Sequence, residues 1–550
     1  MARGPGLTRA PLAWACALLC ALGAAPAAAQ AEADLVHAYR VEPGDTLIGI
    51  GRRLLVDPAQ WRELARINNV RQPRRMPTGL LLNIPLALMR VSREPATLEL
   101  VNGDAKGGDN DRLRSGQAVP EGAELRTGSD GDVAVRLVDG TLLRLRAASR
   151  LRIEQSQRLP DAGLVRSGVR LDRGRVEIEA APAPGGKPGF RIGTPQGVLG
   201  VRGTRFRVAA DDEATRGEVL EGRVEVSGHR AGSSRLLEPG FGTVVDRAGQ
   251  VAEPRLLLAA PDLSAVPRRH ERPLVRIEWP AVPGVARWRA EVSTDEGFER
   301  ILVGQVIEGN ALRLADLPDG SYQLRVRGLD TRGLEGRDAR TRFTLKARPE
   351  PPLPRTPRPR AVLSGERVDF SWTAHDEARR YRLQVARRPD FTELLHDLAD
   401  LTRPEASVGG LQPGTYHWRL ATIRAGDDVG PWGDPQSFEI RAAMGAPAAP
   451  QVGDQGVGFS WPGNPGQRFD FQIARDARFG DLVFEKRLDR TGIELAVPGS
   501  GRFYVRVRPI DPDGFVGPWT TPQSFEIPNC VRDSRSACVR VGGEPLLLGW

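Results

Sequence analysis

The chain has 550 residues, with 78 Lys and Arg set against 69 Asp and Glu for a net charge of +9. That length exceeds what one hydrophobic core fills, so three to six domains are expected; scattered, nearly balanced charge argues against the dense basic block of a nucleic-acid-binding protein. With 62 Gly and 45 Pro, turns recur too often for long helices, and many short strands are favoured.

Residues 1–29 have the layout of a secretory signal: Arg3 and Arg9, an apolar run from Pro11 to Pro26, then Ala27-Ala28-Ala29 at the cleavage position. An uncleaved anchor is the alternative, and Leu19 before Cys20 disfavours a lipoprotein signal. No later run approaches the ~20 apolar residues of a membrane span. The expectation is a periplasmic, cell-surface or secreted protein with no membrane span after signal cleavage. Cys530 and Cys538 then remain in a C-terminal tail, 529–550, where an oxidising compartment permits one disulfide. Two thiols without nearby histidine cannot make a tetrahedral metal site, so no metal is expected.

Residues 37–88 read as strand, helix, helix, strand. Tyr39 and Val41 alternate with polar neighbours, Gly44-Asp45 turns, and Leu47, Ile50 and Leu54 follow at helical spacing. Asp57, Pro58 and Gln60 supply a cap, a first-turn proline and a capping-box position for a second helix whose inward face is Trp61, Leu64, Ala65 and Ile67. Leu82 and Ile84 form the return strand. Tyr39, Val41, Gly44-Asp45-Thr46-Leu47, Leu64, Asn68, Gly79, Leu82 and Ile84-Pro85 together resemble the LysM family. The resemblance implies a βααβ fold that binds N-acetylglucosamine-containing glycan, chiefly peptidoglycan, between two loops. Carried over, the contact residues are Gly44, Asp45, Thr46 and Leu47 on one loop and Asn69, Met76 and Pro77 on the other. Asp45 and Thr46 have a second reading, as shapers of a turn and a helix start. Leu80 stands where the family often has Gln, and the loop from Arg71 to Arg75 is unusually basic.

From 95 to 258 the pattern is strict alternation punctuated by glycine, an all-β domain. Val133, Val135 and Leu137 precede the hairpin signal Asp139-Gly140, and Val169 and Leu171 lead into a turn at Arg173-Gly174 before Val176 and Ile178. Phe190-Arg191-Ile192, Thr194-Pro195, Gly197 and Arg202-Gly203-Thr204 resemble the FecR signature. In its best-known members that family implies an extracytoplasmic domain relaying a receptor signal to a sigma factor. Those members carry a cytoplasmic segment and a membrane span, which a signal sequence and the LysM-like module replace here. Partner binding or spacing is therefore expected, with Arg202 and Thr204 either a contact site or structural turn residues.

Three repeats follow, at 272–347, 362–442 and 452–528, marked by Trp279, Trp372 and Trp461 and by Phe298, Phe391 and Phe479. Gly320-Ser321-Tyr322, Gly414-Thr415-Tyr416 and Gly501-Arg502-Phe503 close the alignment, and Val429-Gly430-Pro431-Trp432 matches Val516-Gly517-Pro518-Trp519. They resemble fibronectin type III modules, which implies antiparallel β-sandwiches used for spacing or protein contact. Residues 348–361, close to half proline, read as a stiff linker.

No catalytic constellation emerges. His37, His229, His270, His375, His396 and His417 are scattered, with no zinc-helix motif, nucleophile elbow or phosphate-cradling loop. The chain is thus expected to be a multidomain, mainly β, non-enzymatic envelope protein without cofactor, holding peptidoglycan and an unidentified envelope protein. A sensory role through the FecR-like domain is the alternative. A wall-targeted hydrolase, which needs two carboxyls facing across a cleft, is the lesser one.

Overall fold

The computed structural model describes residues 36–159, 164–182, 190–453, 456–496, 499–531, 533, 538–542 and 544–548. The signal-like segment and the Arg202 side chain lie outside the described residues. The chain divides into two compact units, one comprising Met1–Arg269, Leu274–Asp316 and Gly320–Thr344, the other the remainder. Both are mainly β.

The N-terminal module pairs Val36–Arg40 antiparallel with Leu81–Pro85, placing Tyr39 opposite Leu82. Helix Leu47–Leu54 starts where Thr46 Oγ1 accepts the Gly49 amide at 3.0 Å. It buries Leu47, Ile50 and Leu54 against Leu64, Leu82 and Ile84. Gly51 permits close helix crossing, since a Cβ there would meet Pro58 O and Trp61 Cβ at 3.0 Å. The second helix differs from expectation. Asp57 caps a separate 3-10 turn, Pro58–Gln60, and the α-helix spans only Trp61–Ile67, with no capping bond from Gln60. Trp61 and Ile67 are only half-buried. The core is completed from outside the module: Leu159, fully buried, belongs to it, and Ser92–Arg93 pairs with Gln157 and Arg158 of the next domain.

That next domain is one continuous all-β core running from Ala96 to Val251. Arg173-Gly174 is not a turn between strands. Leu164–Glu179 is a single strand of 16 residues that exchanges partners there, from Arg150–Leu159 to Leu142–Leu145 and Gly174's opposite strand, residues 205–210. Gly174 has φ 96°, and a Cβ on it would lie 2.4 Å from Ser149 Cα, so only glycine lets the strand bend without ending.

Each C-terminal repeat is a two-sheet, mainly antiparallel sandwich with its tryptophan buried. In the second, Val368–Trp372 lies in one sheet and Arg380–Ala386 with Gly414–Arg424 in the other. The proline-rich stretch before it is not simply a linker. Pro354–Thr356 pairs with the strand bearing Trp372, Ala361–Ser364 pairs in parallel with Gln436–Arg441, and Thr422 Oγ1 donates to Glu350 O at 2.7 Å. Proline is tolerated because these are edge strands with few ladder donors. In the tail, Cys530 and Cys538 are disulfide-linked with Cα atoms 5.6 Å apart.

Candidate functional site: the two-loop groove and a buried charge seam

The two loops named by the LysM resemblance meet: the Leu47 amide donates to Pro73 O at 2.8 Å. Gly44, at φ 87°, turns the first loop, and Asn69, at φ 53°, turns the second out of its helix. Gly44, Asn69 and Pro77 are exposed, Met76 is half-buried, and Leu47 is core. Asp45 and Thr46 have their side chains engaged by the fold. Asp45 accepts from the Tyr39 hydroxyl at 2.6 Å and the Glu42 amide at 2.9 Å, with Arg53 at 3.5 Å. Burial opposes the Asp45 charge, but these donors outweigh it and hold the carboxyl below its ordinary value. Tyr39 is pushed up to about 12 by burial and by this bond. Thr46 is the helix cap. What these loops expose is therefore Gly44, Asn69 and Pro77 beside the basic Arg71, Arg74 and Arg75, with Met76 half-buried; the Pro77 carbonyl already accepts from the Leu80 amide and the Asn69 amide already donates to the Arg66 carbonyl. The Tyr39–Asp45–Arg53 chain was not singled out from sequence; Arg53 falls on the polar face of its helix and reads as solvated.

Within the FecR-like signature Thr194, Gly197 and Thr204 are buried, Pro195 is half-buried and Gly203 is exposed. Thr194 is fully buried; its Oγ1 accepts from the Gly197 amide at 3.1 Å and from Thr215 at 2.8 Å, closing the turn through Pro195. Gly203 bends its strand at φ 56°, and Thr204 is buried beside it. These residues build the turn and bend.

A second constellation lies where the all-β domain meets the first sandwich, within one compact unit. Arg146, Arg175, Arg207, Glu177, Glu218 and Asp132 face Arg289, Arg325, Arg327, Glu291, Glu335 and Asp338. Glu177 sits at the centre. It accepts from Arg146 at 2.6 Å, from Arg325 at 2.9 Å and from Arg327 at 3.2 Å. Arg175 bridges Glu291 and Glu335, both at 3.0 Å, and Arg207 donates to the Glu335 and Gly336 carbonyls at 2.8 and 2.7 Å. Arg327 is 1% exposed, so its charge rests on protein partners alone. Burial works against Glu177 and Glu335, but the surrounding guanidinium groups hold both well below the usual carboxylate range. Glu218 and Asp132 go the other way: burial dominates and pushes them up to about 7 and about 6. Alternating strands hide this seam in the sequence, because a charge between two core residues reads as solvent-facing. The signal lay in the repeats, where Glu291 and Asp338 replace the Gln and Trp of the other two.

Residues 123–225 match the family model for FecR protein, so the chain contains a FecR domain. That stretch holds Arg146, Arg175, Glu177, Arg207 and Glu218 of the seam. An uncharacterized protein of Treponema pallidum is 41% identical over 69 residues, and this chain spans about a tenth of that protein's length. A Parabacteroides distasonis protein described as a "putative anti-sigma factor" is 24% identical, with 24% of this chain and 59% of that one covered and a TM-score of 0.21. The first three fibronectin domains of chicken CNTN1 are 14% identical, with 49% and 98% covered and a TM-score of 0.21.

Proposed function

We propose that the chain is an exported, non-enzymatic envelope scaffold that holds peptidoglycan through residues 37–88 and offers its β domains to a partner protein. The observation that carries this is the meeting of the Gly44–Leu47 and 69–77 loops through the Leu47–Pro73 bond, with Gly44, Asn69 and Pro77 exposed on them. Polar groups on such loops match acetamido and hydroxyl groups of a sugar. One shallow module makes few bonds that water does not also make, so an affinity of about 0.1–1 mM is expected.

The full chain should sediment with purified peptidoglycan, resist about 0.5 M salt, which screens exposed charge, and be released by N-acetylglucosamine oligomers. Pro77→Trp, filling the groove from an exposed position, should weaken sedimentation at least about tenfold, ~1.4 kcal/mol. Binding abolished by salt and indifferent to the oligomers would assign the retention to Arg71, Arg74 and Arg75, and the sugar reading would fall.

A regulatory role in envelope signalling is the second reading, supported by the FecR match. On that reading the first sandwich covers the FecR face containing Glu177, and a signal acts by separating the two.

A further inference from the structure

All three sandwiches build one device at one sheet position. A phenylalanine beyond the strand following the tryptophan is held at positive φ, 54° in Phe298, 56° in Phe391 and 59° in Phe479. An arginine of the central strand lies over its ring, at 4.5 Å for Arg325, 4.1 Å for Arg419 and 4.0 Å for Arg506. Each arginine's Nε donates across one rung of the ladder, Arg325 to Glu291 at 2.8 Å, Arg419 to Gln384 at 2.9 Å and Arg506 to Gln472 at 2.8 Å.

The copies differ on their outer side. In the first sandwich a carboxylate arrives from another domain, Glu177, and Arg325 is covered. In the other two the cross-rung partner is a neutral amide, and a tryptophan stacks on the arginine, Trp432 at 4.5 Å and Trp519 at 4.4 Å. Arg419 and Arg506 form no ion pair, and their terminal nitrogens meet no acceptor, among the described residues. Nearby carboxylates make their contacts elsewhere, Asp397 with Arg382 at 2.6 Å and Glu485 with the amide of Gln472 at 2.6 Å; they act on Arg419 and Arg506 only through space, as Glu271 does on Arg419, and Arg382 and Arg508 oppose them. Both arginines are half-buried, so each is a partly desolvated cation that no carboxylate contacts among the described residues.

We infer that this face of the second and third sandwiches docks an acidic strand of a separate protein, with a carboxylate entering over Arg419 and Arg506 as Glu177 enters over Arg325. A planar guanidinium fixed between two rings is pre-set to take a carboxylate through two parallel bonds, and Trp and Arg are the side chains that anchor interfaces. A second copy is the poorer occupant, since its Glu177 is already committed to its own first sandwich. The inference rests on the scaffold reading for the existence of a partner, but the two fail separately, because wall sedimentation does not involve this face.

The test places a photo-crosslinking benzophenone residue at His417 and at Tyr504, each two residues before the arginine on the same strand face, in the full chain in its native cells. The expected result is a crosslink to one other protein, through a peptide with Asp or Glu on a strand. Gln384→Glu with Gln472→Glu, which supplies the counter-charge within the chain as Glu291 does at the loss of the amide bonds to Asp397 and Glu485, should cut the yield at least about tenfold in protein that circular dichroism shows to be folded. Crosslinks to wall peptides or to a second copy of the chain, no crosslink, or a yield indifferent to the glutamates would each overturn the inference.

Discussion

Replacing Arg327 with methionine is expected to destabilise the FecR domain and first sandwich by about 3–5 kcal/mol, the cost of removing one partner from a buried ionic group. The guanidinium reaches Glu335 at 2.5 Å, Asp338 at 2.9 Å and Glu177 at 3.2 Å, and without it these carboxylates keep their charge in a site that water scarcely reaches. The control is Arg223→Met, which breaks an exposed pair with Glu238 and should cost at most about 1 kcal/mol. Denaturant unfolding followed through protection of the strand Leu164–Glu179 measures both. Equal effects would mean that the seam carries no more than a surface pair.

The same seam sets a pH dependence. Glu218, raised to about 7 in the docked state, returns to the ordinary glutamate value of about 4.5 in the unfolded chain. Between those values the folded form holds a proton that the unfolded form has lost, so stability falls as pH rises through this window. Glu177, Glu335 and Asp338 are lowered instead, and their contribution disappears only on acidification below their ordinary range. Asp132, raised to about 6, acts in the same direction over the lower part of the window, so unfolding at pH 5 and pH 8 should show the docked pair weaker at pH 8, and Glu218→Gln should reduce that difference to the part Asp132 supplies. A chain more stable at pH 8, with Glu218→Gln silent, would place the proton elsewhere.

The second large effect is expected at Trp372. It is 1% exposed and packs edge-on to Tyr381 with ring centroids 5.5 Å apart. Trp372→Ala leaves a cavity that Phe370, Leu383 and Trp418 cannot fill and should cost about 3–5 kcal/mol. Residues 350–442 are the segment in which to measure it, because Pro354–Thr356 and Ala361–Ser364 are strands of this sandwich. A segment beginning at 362 should be measurably less stable than one beginning at 350. Equal stability would return the proline-rich stretch to the status of a linker.

Much of the architecture was legible because it follows from apolar period. Leu47, Ile50 and Leu54 declare a helix, Val133 and Val135 a strand, and three tryptophans at a domain-sized spacing declare the repeats. Proline density misled, since an edge strand and an extended linker share composition and differ only in what they lie beside. Gly174 misled for a related reason: a glycine that bends a strand and one that ends it have the same neighbours in sequence. The groove residues were legible as loop positions. Their chemistry was not, because whether Asp45 faces a ligand or Tyr39 depends on a hydrogen bond six residues away. The seam was least legible. Arg325, Arg419 and Arg506 look alike in sequence, and what sets the first apart is the exchange of neighbours to Glu291 and Asp338 together with the arrival of Glu177.

The sharing of Leu159 between the N-terminal module and the FecR domain has a mechanical consequence. On the proposed reading, tension entering through the N-terminal module passes first across the two-residue pairing of Ser92–Arg93 with Arg158 and Gln157, and only then into Ala96–Asn102, which is paired at five positions with Asp132–Arg136. The short zipper is the weaker element in series. Under such load it yields first and withdraws the module from Leu159, so the joint lengthens while the sheet behind it stays paired.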